Sequence, residues 1–483
     1  MKHLNLLTSS KRTQEDYDVM ANNILQKLID YLLLITFIVF PIAFKISLKS
    51  PEDPIHPLIS ANFSIADFLL VVIFVLWIIK ILIYREYVQI KLPPIPIIVF
   101  VGIGALSFVN TISILEWAKG LILLIEYFLI FYLLLLNNLR KTKINTIKNF
   151  LFIATTVILS VALVQHSFLN GSPYLIRGLF ENRNILGTYL CIVVPLTYSE
   201  LLFCVNKYRK AWMAMLLLLS LFVITSGSAI LSLVISLFFV SLVHSRKLFF
   251  KYLTGILLLI PTYIYIMPQK NINSITDFFR IYEQGNINEN YNRIQSILYD
   301  LSTTGNLINK KVGNNTITIS NNLFTSNILP KIQNIDEHQK LIDQKYVKSR
   351  YVEMQAAMNI MAEKSLLGVG LGNFQANIGM YYYTLPKLNT EEPYQHSGYL
   401  VIGATTGLLG LTALLWLFLF ALKKSYKSFK IIPDVDKNKT YLGLFGALIA
   451  CMIENFFSNV FIAVLLIPLV VLIYLSVENA CEI

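Results

Sequence analysis

The sequence predicts an all-α protein, a polytopic bundle of about twelve transmembrane helices with one large external loop. Of its 483 residues, 55% are hydrophobic and only 14% are charged, and the mean hydropathy is +0.62. A soluble globular domain is more polar than this. The third observation is a single long polar region, Pro268–Gln395, in a chain that is otherwise mostly apolar. This region is the predicted external loop.

Apolar runs of membrane-spanning length define the helices, because a crossing needs about 20 mostly apolar residues. The candidate spans are Leu28–Leu48, Ile65–Tyr84, Ile95–Ile112, Leu115–Leu136, Phe150–Phe168, Ile185–Val205, Ala211–Thr225, Ala229–His244, Leu248–Met267, His396–Leu422, Tyr441–Phe457 and Val460–Val477. The seventh and eighth runs form either two spans or one long kinked span. The second alternative would invert the topology of everything that follows.

The distribution of positive charge predicts the orientation. The net charge is +12, and Lys and Arg are concentrated in alternate loops, as expected of cytoplasmic loops. This alternation requires two spans within 211–244, and it places both termini in the cytoplasm. The charge therefore reflects topology and not nucleic-acid binding. The predicted divisions are a cytoplasmic arm at 1–27, spans one to nine at 28–267, the external loop at 268–395, spans ten to twelve at 396–478 and a cytoplasmic tail at 479–483.

The amino-acid composition and periodicity of the external loop change near its end. Residues 269–349 are rich in Asn, Ile and Lys without a clear period. From Arg350 onward, Met354, Ala357, Met358 and Met361 recur at helical spacing. This pattern predicts an amphipathic helix that lies on the membrane surface or packs on the bundle, and both alternatives stay open.

A glycine-rich segment, Gly368–Phe374, follows this helix. No strand precedes it and no Lys-Ser/Thr pair follows it, so it is not a phosphate-binding loop. We expect a tight turn that returns the loop to the bundle.

The stretch Tyr394–Gly410 carries the most specific pattern. His396 and Ser397 are followed by nine residues and then by Gly407-Leu408-Leu409-Gly410. A His at the start of a helix lies near the positive end of the helix dipole, which disfavours imidazolium and suits a general base. Gly407 and Gly410 are three apart, which predicts one helix face that a neighbouring helix can approach closely.

Two arginines are predicted to lie near the same outer membrane interface. Arg177 precedes a span, and Arg350 opens the helix at the end of the loop. A guanidinium group presents paired donors that match phosphate oxygens. Either arginine alone could instead contact lipid headgroups. Together with a neutral His396, the pair is suited to a lipid-linked diphosphate.

Three segments in this order resemble the bacterial O-antigen ligase family and its polymerase relatives. They are Gly178–Asn184, Arg350 with Gly368–Phe374, and His396–Gly410. The resemblance covers roughly Arg177–Leu422, and the N-terminal third is similar only in being helical membrane sequence.

Two features depart from the family pattern. Ser226-Gly227-Ser228 stands where many members have Ser-Arg-Gly, so no Arg role is expected there. Leu366 and Leu367 stand where a Pro often precedes the glycine-rich turn.

The resemblance implies a GT-C-like, inverting, metal-independent glycosyltransferase without a cofactor. The donor would be a glycan on undecaprenyl diphosphate, and the acceptor a sugar hydroxyl, in a ligase that of lipid A–core. It implies a place in lipopolysaccharide or other surface polysaccharide biosynthesis, at the outer face of the bacterial inner membrane. His396 would take the acceptor proton, and Arg177 and Arg350 would hold the diphosphate. Arg183 and Tyr394 are weaker candidates for contacts with the donor or its sugars.

Two other functions stay open. A polymerase that joins repeat units, or a ligase for another surface glycan, would share this chemistry and layout. A solute or inorganic-carbon transporter would show internal repeats and broken helices around a midplane site, and no repeat is visible in the sequence.

Acidic residues in or near the spans are a further signal, because charge within a membrane is usually functional. Glu116 and Lys119 are spaced to pair along one helix face. Glu126 and Glu454 lie deeper in apolar runs, and the sequence does not name their partners.

Overall fold

A computed structural model gives the architecture. It describes residues 2–49, 57–84, 90–139, 144–168, 176–180, 182–251, 253–254, 350–374, 377, 397–432, 435–461 and 463–478. Within these residues the fold is helical apart from one β-hairpin. Among the described residues, eight helices are long and apolar enough to cross a membrane, and Ile95–Asn110 and Leu465–Val477 are shorter apolar helices. The all-helical membrane class is confirmed, whereas the count of twelve spans stays a prediction.

Most of the helices overlap the predicted apolar runs, although α1 and α11 extend beyond theirs, from Lys2 and to Ile431. In chain order they are α1 Lys2–Val39, α2 Ile65–Ile83, α3 Ile95–Leu106, α4 Ile114–Leu124, α5 Tyr132–Asn138, α6 Ile144–Phe168, α7 Arg183–Phe203, α8 Lys207–Val223, α9 Gly227–His244, α10 Arg350–Glu363, α11 Gly398–Ile431, α12 Val435–Phe457 and α13 Ala463–Glu478. A π-helical segment, Ile125–Phe131, joins α4 to α5 in one continuous element. Most of the predicted ninth span lies outside the described residues.

The first span was predicted too far along the chain, at Leu28–Leu48, whereas the membrane-length part of α1 is Met20–Val39. Helix α1 ends at Val39, and Ala43–Lys49 (β1) forms an antiparallel pair with Pro57–Ser64 (β2). Pro41 accounts for the difference, since a proline disfavours helical backbone in the residue before it. Helix α2 then begins at Ile65 with a capping box, in which Ser64 and Asp67 each accept a hydrogen bond from the other's backbone amide.

Helix α7 lies at the centre of the bundle and is buried along most of its length. Helix α12 packs against it through two glycines. A Cβ atom on Gly443 would lie 2.9 Å from the Leu196 Cα, and one on Gly446 would lie 3.0 Å from the Pro195 Cβ. Small residues at these positions let the two backbones approach, as is common in membrane helix pairs.

The region 211–244 forms two separate helices rather than one kinked helix. Helix α8 starts near the beginning of α6, where Arg209 donates to Asn149 at 3.0 Å. Helix α9 starts beside Gly187 near the Arg183 end of α7, and its last residue, His244, packs on Phe203 at the other end. The two helices therefore run in opposite directions, as the predicted alternation of loops requires.

The predicted pair on α4 is present. The Lys119 Nζ donates to the Glu116 Oε1 at 2.7 Å, and both side chains are partly exposed. Nearby, the Tyr127 hydroxyl donates to the Asp67 carboxylate in the first turn of α2. This bond joins the π-helical segment to α2 inside the bundle.

Candidate functional site

The structure describes three of the five predicted site residues. Arg177 is exposed in a turn before α7, Arg183 is the first residue of α7, and the backbone of Arg350 begins α10. His396 and Tyr394 lie outside the described residues. Ser397, the next residue in sequence after His396, is described and caps α11, where its side chain accepts from the Leu400 amide at 3.5 Å.

A tight turn holds Arg177 in front of α7. The Phe180 amide donates to the Arg177 carbonyl at 3.1 Å. The Phe180 ring is buried against Phe40 and Tyr189, with centroid distances of 6.3 and 5.4 Å. The turn is thus fixed in the aromatic core while the Arg177 side chain is exposed.

Asn182 sets the start of α7. Its Oδ1 accepts from the amides of Asn184 and Ile185 at 2.9 and 3.0 Å. A side-chain oxygen at this position satisfies amides that have no partner within the helix. Arg183 is therefore held at the first helical position, a few residues from Arg177.

The residues that follow His396 dock on the end of α12. The Gly398 amide donates to the Ser458 carbonyl at 3.3 Å, and the Ser397 hydroxyl donates to the Asn455 carbonyl at 3.4 Å. A side chain on Gly398 would collide with the Asn455 carboxamide. The position of this segment is therefore set by α12.

Helix α11 is interrupted at Gly407, which has φ of 69° and ψ of −170°. The helix runs from Gly398 to Thr406 and again from Leu408 to Ile431. The expectation that Gly407 and Gly410 share one continuous helix face is therefore wrong. A side chain on Gly410 would meet the Thr406 side chain, which lies on the other side of the interruption.

The glycine-rich segment occupies this break. The amides of Val369 and Gly370 donate to the carbonyls of Ala404 and Thr405 at 2.9 and 3.0 Å. On the other side of the break, the Leu408 amide donates to the Ser365 carbonyl at 2.7 Å. Backbone groups released by the interruption are thus paired, as burial in a membrane bundle requires.

The same segment also binds the start of α4. Asn373, which is buried, accepts from the Ser113 amide at 2.8 Å and donates to the Ser113 carbonyl at 3.1 Å. The Asn110 Nδ2 donates to the Gly368 carbonyl at 2.9 Å. The predicted tight turn that returns the loop to the bundle is therefore present, and it is anchored on two elements.

Helix α10 packs on the first half of α11. Ala356, Ala357 and Ile360 are buried in a small apolar cluster with Val401 and Ala404. Met354 and Met358, on the remaining surface, are exposed. The packing alternative is therefore observed for one face of this helix, whereas the membrane-surface alternative stays a prediction.

Glu454 connects α12 to two further helices. Its carboxylate is fully buried and accepts from the hydroxyls of Thr188 on α7 at 3.3 Å and of Ser228 and Ser232 on α9 at 3.0 Å each. Glu454 directly precedes Asn455, which contacts Gly398. This arrangement links the segment after His396 to the first turns of α7.

A second polar cluster lies at the Phe203 end of α7. Glu200 is buried, and its carboxylate is paired with Lys148 at 3.2 Å, Lys439 at 3.0 Å and Arg209 at 2.8 Å. These cations come from α6, α12 and α8, so one carboxylate holds four helices together. The cluster lies at the end of α7 opposite Arg183.

Sequence reasoning missed several of these contacts. Gln165, near the end of α6, bonds to the turn that carries Arg177. The hydroxyl partners of Glu454 follow from tertiary packing, although the acid itself was a sequence signal.

Among the described residues, no group of three or more His, Cys, Asp or Glu side chains could hold a metal ion.

The fold and these contacts define a multi-pass helical membrane protein in which an interrupted helix is joined to a loop helix by a glycine-rich turn. Residues 212–415 match the family model described as O-antigen ligase. The matched region includes Arg350, His396 and Gly407. The predicted resemblance is confirmed over this region. No curated protein matches the chain.

Proposed function

We propose that this protein transfers a glycan from undecaprenyl diphosphate to a sugar hydroxyl of a surface acceptor, with lipid A–core as the acceptor of a ligase. The family match over 212–415 supports a lipid-linked glycan as the substrate. The reaction would take place at the outer face of the bacterial inner membrane, with both chain termini in the cytoplasm.

The observation that carries this proposal is the junction at Gly407. The turn at 365–372 fills the break in α11 and thereby fixes α10, which begins at Arg350, against the helix that follows His396. Glu454 accepts a hydrogen bond from Thr188 on α7, and the next residue, Asn455, accepts one from Ser397 at the start of α11. These two bonds link the start of α11 to α7, which begins just after the turn that carries Arg177. A continuous chain of contacts therefore connects the three predicted site segments.

The residues have complementary chemical roles in this proposal. His396 removes the proton from the acceptor hydroxyl as the oxygen attacks the anomeric carbon. The bond from that carbon to the diphosphate oxygen breaks, and Arg177 and Arg350 stabilise the charge on the leaving lipid diphosphate. Attack opposite the leaving group inverts the anomeric carbon. Arg183 and Tyr394 are weaker candidates for contacts with the donor.

Purified protein in liposomes with a lipid-linked glycan and a glycolipid acceptor tests the proposal. We expect His396→Ala and Arg350→Ala to lose transfer by about a hundredfold or more, while expression and the elution profile stay unchanged. Retained transfer in the His396→Ala variant would contradict the assignment of the base.

Product analysis in the same assay separates ligase from polymerase. A ligase caps the acceptor with the whole donor glycan, whereas a polymerase lengthens the lipid-linked glycan when no other acceptor is present. The interrupted α11 also resembles the broken helices of transporters. Here, however, the carbonyls of Ala404 and Thr405 are occupied by amides of the turn. Solute uptake without glycan transfer would favour a transporter.

A further inference from the structure

The side chain of Gln165 on α6 forms hydrogen bonds with the turn that carries Arg177. The Gln165 Oε1 accepts from the Arg177 amide at 3.0 Å and from the Gly178 amide at 2.8 Å. The Gln165 Nε2 donates to the Gly178 carbonyl at 2.8 Å. Both ends of one carboxamide are therefore used on two consecutive residues of the turn.

Packing below the carboxamide reinforces this contact. Gly178 has a φ of 62°, a conformation that favours glycine, and a Cβ atom there would lie 3.0 Å from the Ile158 Cγ2. Ile158 and Gln165 are seven residues apart on α6 and so share one helix face. Ile158 thus packs against the turn, and Gln165, on the same face of α6, forms hydrogen bonds with the backbone of the turn.

We propose that Gln165 is a positioning residue that fixes the Arg177 guanidinium for the donor diphosphate. This inference rests on the proposed function. An arginine side chain has several rotatable bonds, so the position of its backbone limits where its head group can reach. Correct placement of a binding group is part of the free energy of binding, because a loosely held group must be ordered when the ligand binds. Gln165 orders the backbone of Arg177 before the donor binds.

A double-mutant cycle on transfer kinetics tests the inference. We expect Gln165→Leu to raise the KM for the lipid-linked donor by about tenfold with a smaller change in kcat. If Gln165 acts through Arg177, the Gln165→Leu/Arg177→Ala variant should be no worse than Arg177→Ala alone. If the two substitutions raise the KM independently, so that their effects multiply in the double variant, the inference is overturned.

Gln26 provides a matched control for the loss of a glutamine carboxamide. Its Nε2 donates to the Asp30 carboxylate at 2.7 Å and to the Asn138 carbonyl at 3.2 Å, and its Oε1 accepts from Lys80. Gln26→Leu removes a similar number of hydrogen bonds away from the Arg177 turn. We expect it to leave the KM for the donor unchanged, and an equal rise in KM would overturn the inference.

A nitroxide label on Arg177→Cys gives a readout that is independent of transfer. We expect a restrained spectrum in the parent and a more mobile one after Gln165→Leu. An unchanged spectrum would overturn the inference. If Gln165→Leu does not fold, Gly178→Ala strains the same turn and should show the same non-additivity with Arg177→Ala. If Arg177→Ala leaves the transfer kinetics unchanged, both the role of Arg177 and this inference are overturned. If Arg177→Ala impairs transfer but Gln165→Leu leaves the KM for the donor unchanged, only the inference is overturned.

Discussion

Gly407 lies directly against the carbonyl group of Leu366, and a Cβ atom at position 407 would overlap with it. The close approach lets the turn at 365–372 enter the break in α11. Loop and bundle are therefore coupled at a point where the backbone, rather than side chains, makes the contacts.

The first prediction concerns this contact. Gly407→Ala should destabilise the junction by about 2 to 4 kcal/mol, because it adds both the overlap with Leu366 and a strained positive φ. We expect a lower aggregation temperature and reduced glycan transfer. Gly102, on α3, is the control, since a Cβ there has no neighbour within 4 Å. Gly102→Ala should be neutral or slightly stabilising, and similar losses in both variants would contradict the prediction.

A second prediction concerns the anchor of the turn on α4. Asn373→Leu removes the bonds to both backbone groups of Ser113 and leaves the partly buried Ser113 amide without this acceptor, whereas the Ser113 carbonyl keeps the Trp117 amide as a donor. The expected cost is about 1 to 3 kcal/mol. Limited proteolysis should then cleave the turn around Gly370 faster than in the parent. An unchanged cleavage rate would show that the anchor is dispensable.

The buried acid on α12 gives a third prediction. Glu454→Gln keeps an amide oxygen for Thr188 and Ser228, so its effect on stability should be below about 1 kcal/mol. Glu454→Ala removes every acceptor and leaves a cavity, and it should cost about 2 kcal/mol or more. Thermal aggregation of the two purified variants measures the difference. Equal stability of the two variants would argue against a stabilising role for the hydrogen bonds that join α12 to α7 and α9 at Glu454.

The cluster at the opposite end gives a fourth prediction. Glu200→Gln leaves Lys148, Lys439 and Arg209 close together without their carboxylate, which should cost about 3 to 5 kcal/mol. Glu116→Gln is the control, because it breaks the partly exposed pair with Lys119 and should change stability by no more than about 1 kcal/mol. A Glu200→Gln variant as stable as the control would show that the four helices are held by packing alone.

Much of the fold could be predicted because hydrophobic length determines membrane helices. The bounds of α2 and α7 lie within two residues of the predicted spans. The β-hairpin was missed because the apolar count ran through Pro41, where the helix has already ended. Membrane length therefore located the helices well but did not detect a chain reversal next to one of them.

The site was harder to predict than the helices. His396 and the arginines carry chemical signals of their own, whereas Gly407 was interpreted as a packing glycine. Its role as a break depends on the turn that fills it, and this contact joins residues about forty positions apart. Gln165 gave no signal, because a single amide near the end of an apolar run is compatible with an exposed position. Its function depends on the turn folded against it.

We propose that positions 177 and 396 meet at one site. Paired cysteines at these positions, in a chain whose four native cysteines are replaced, can be tested with a short bifunctional thiol reagent. A pair at 207 and 396 is the control, because Lys207 begins α8 near the Phe203 end of α7. We expect efficient cross-linking of 177 with 396 and none of 207 with 396. Cross-linking of the control pair, or none of 177 with 396 when both cysteines react singly, would contradict the account.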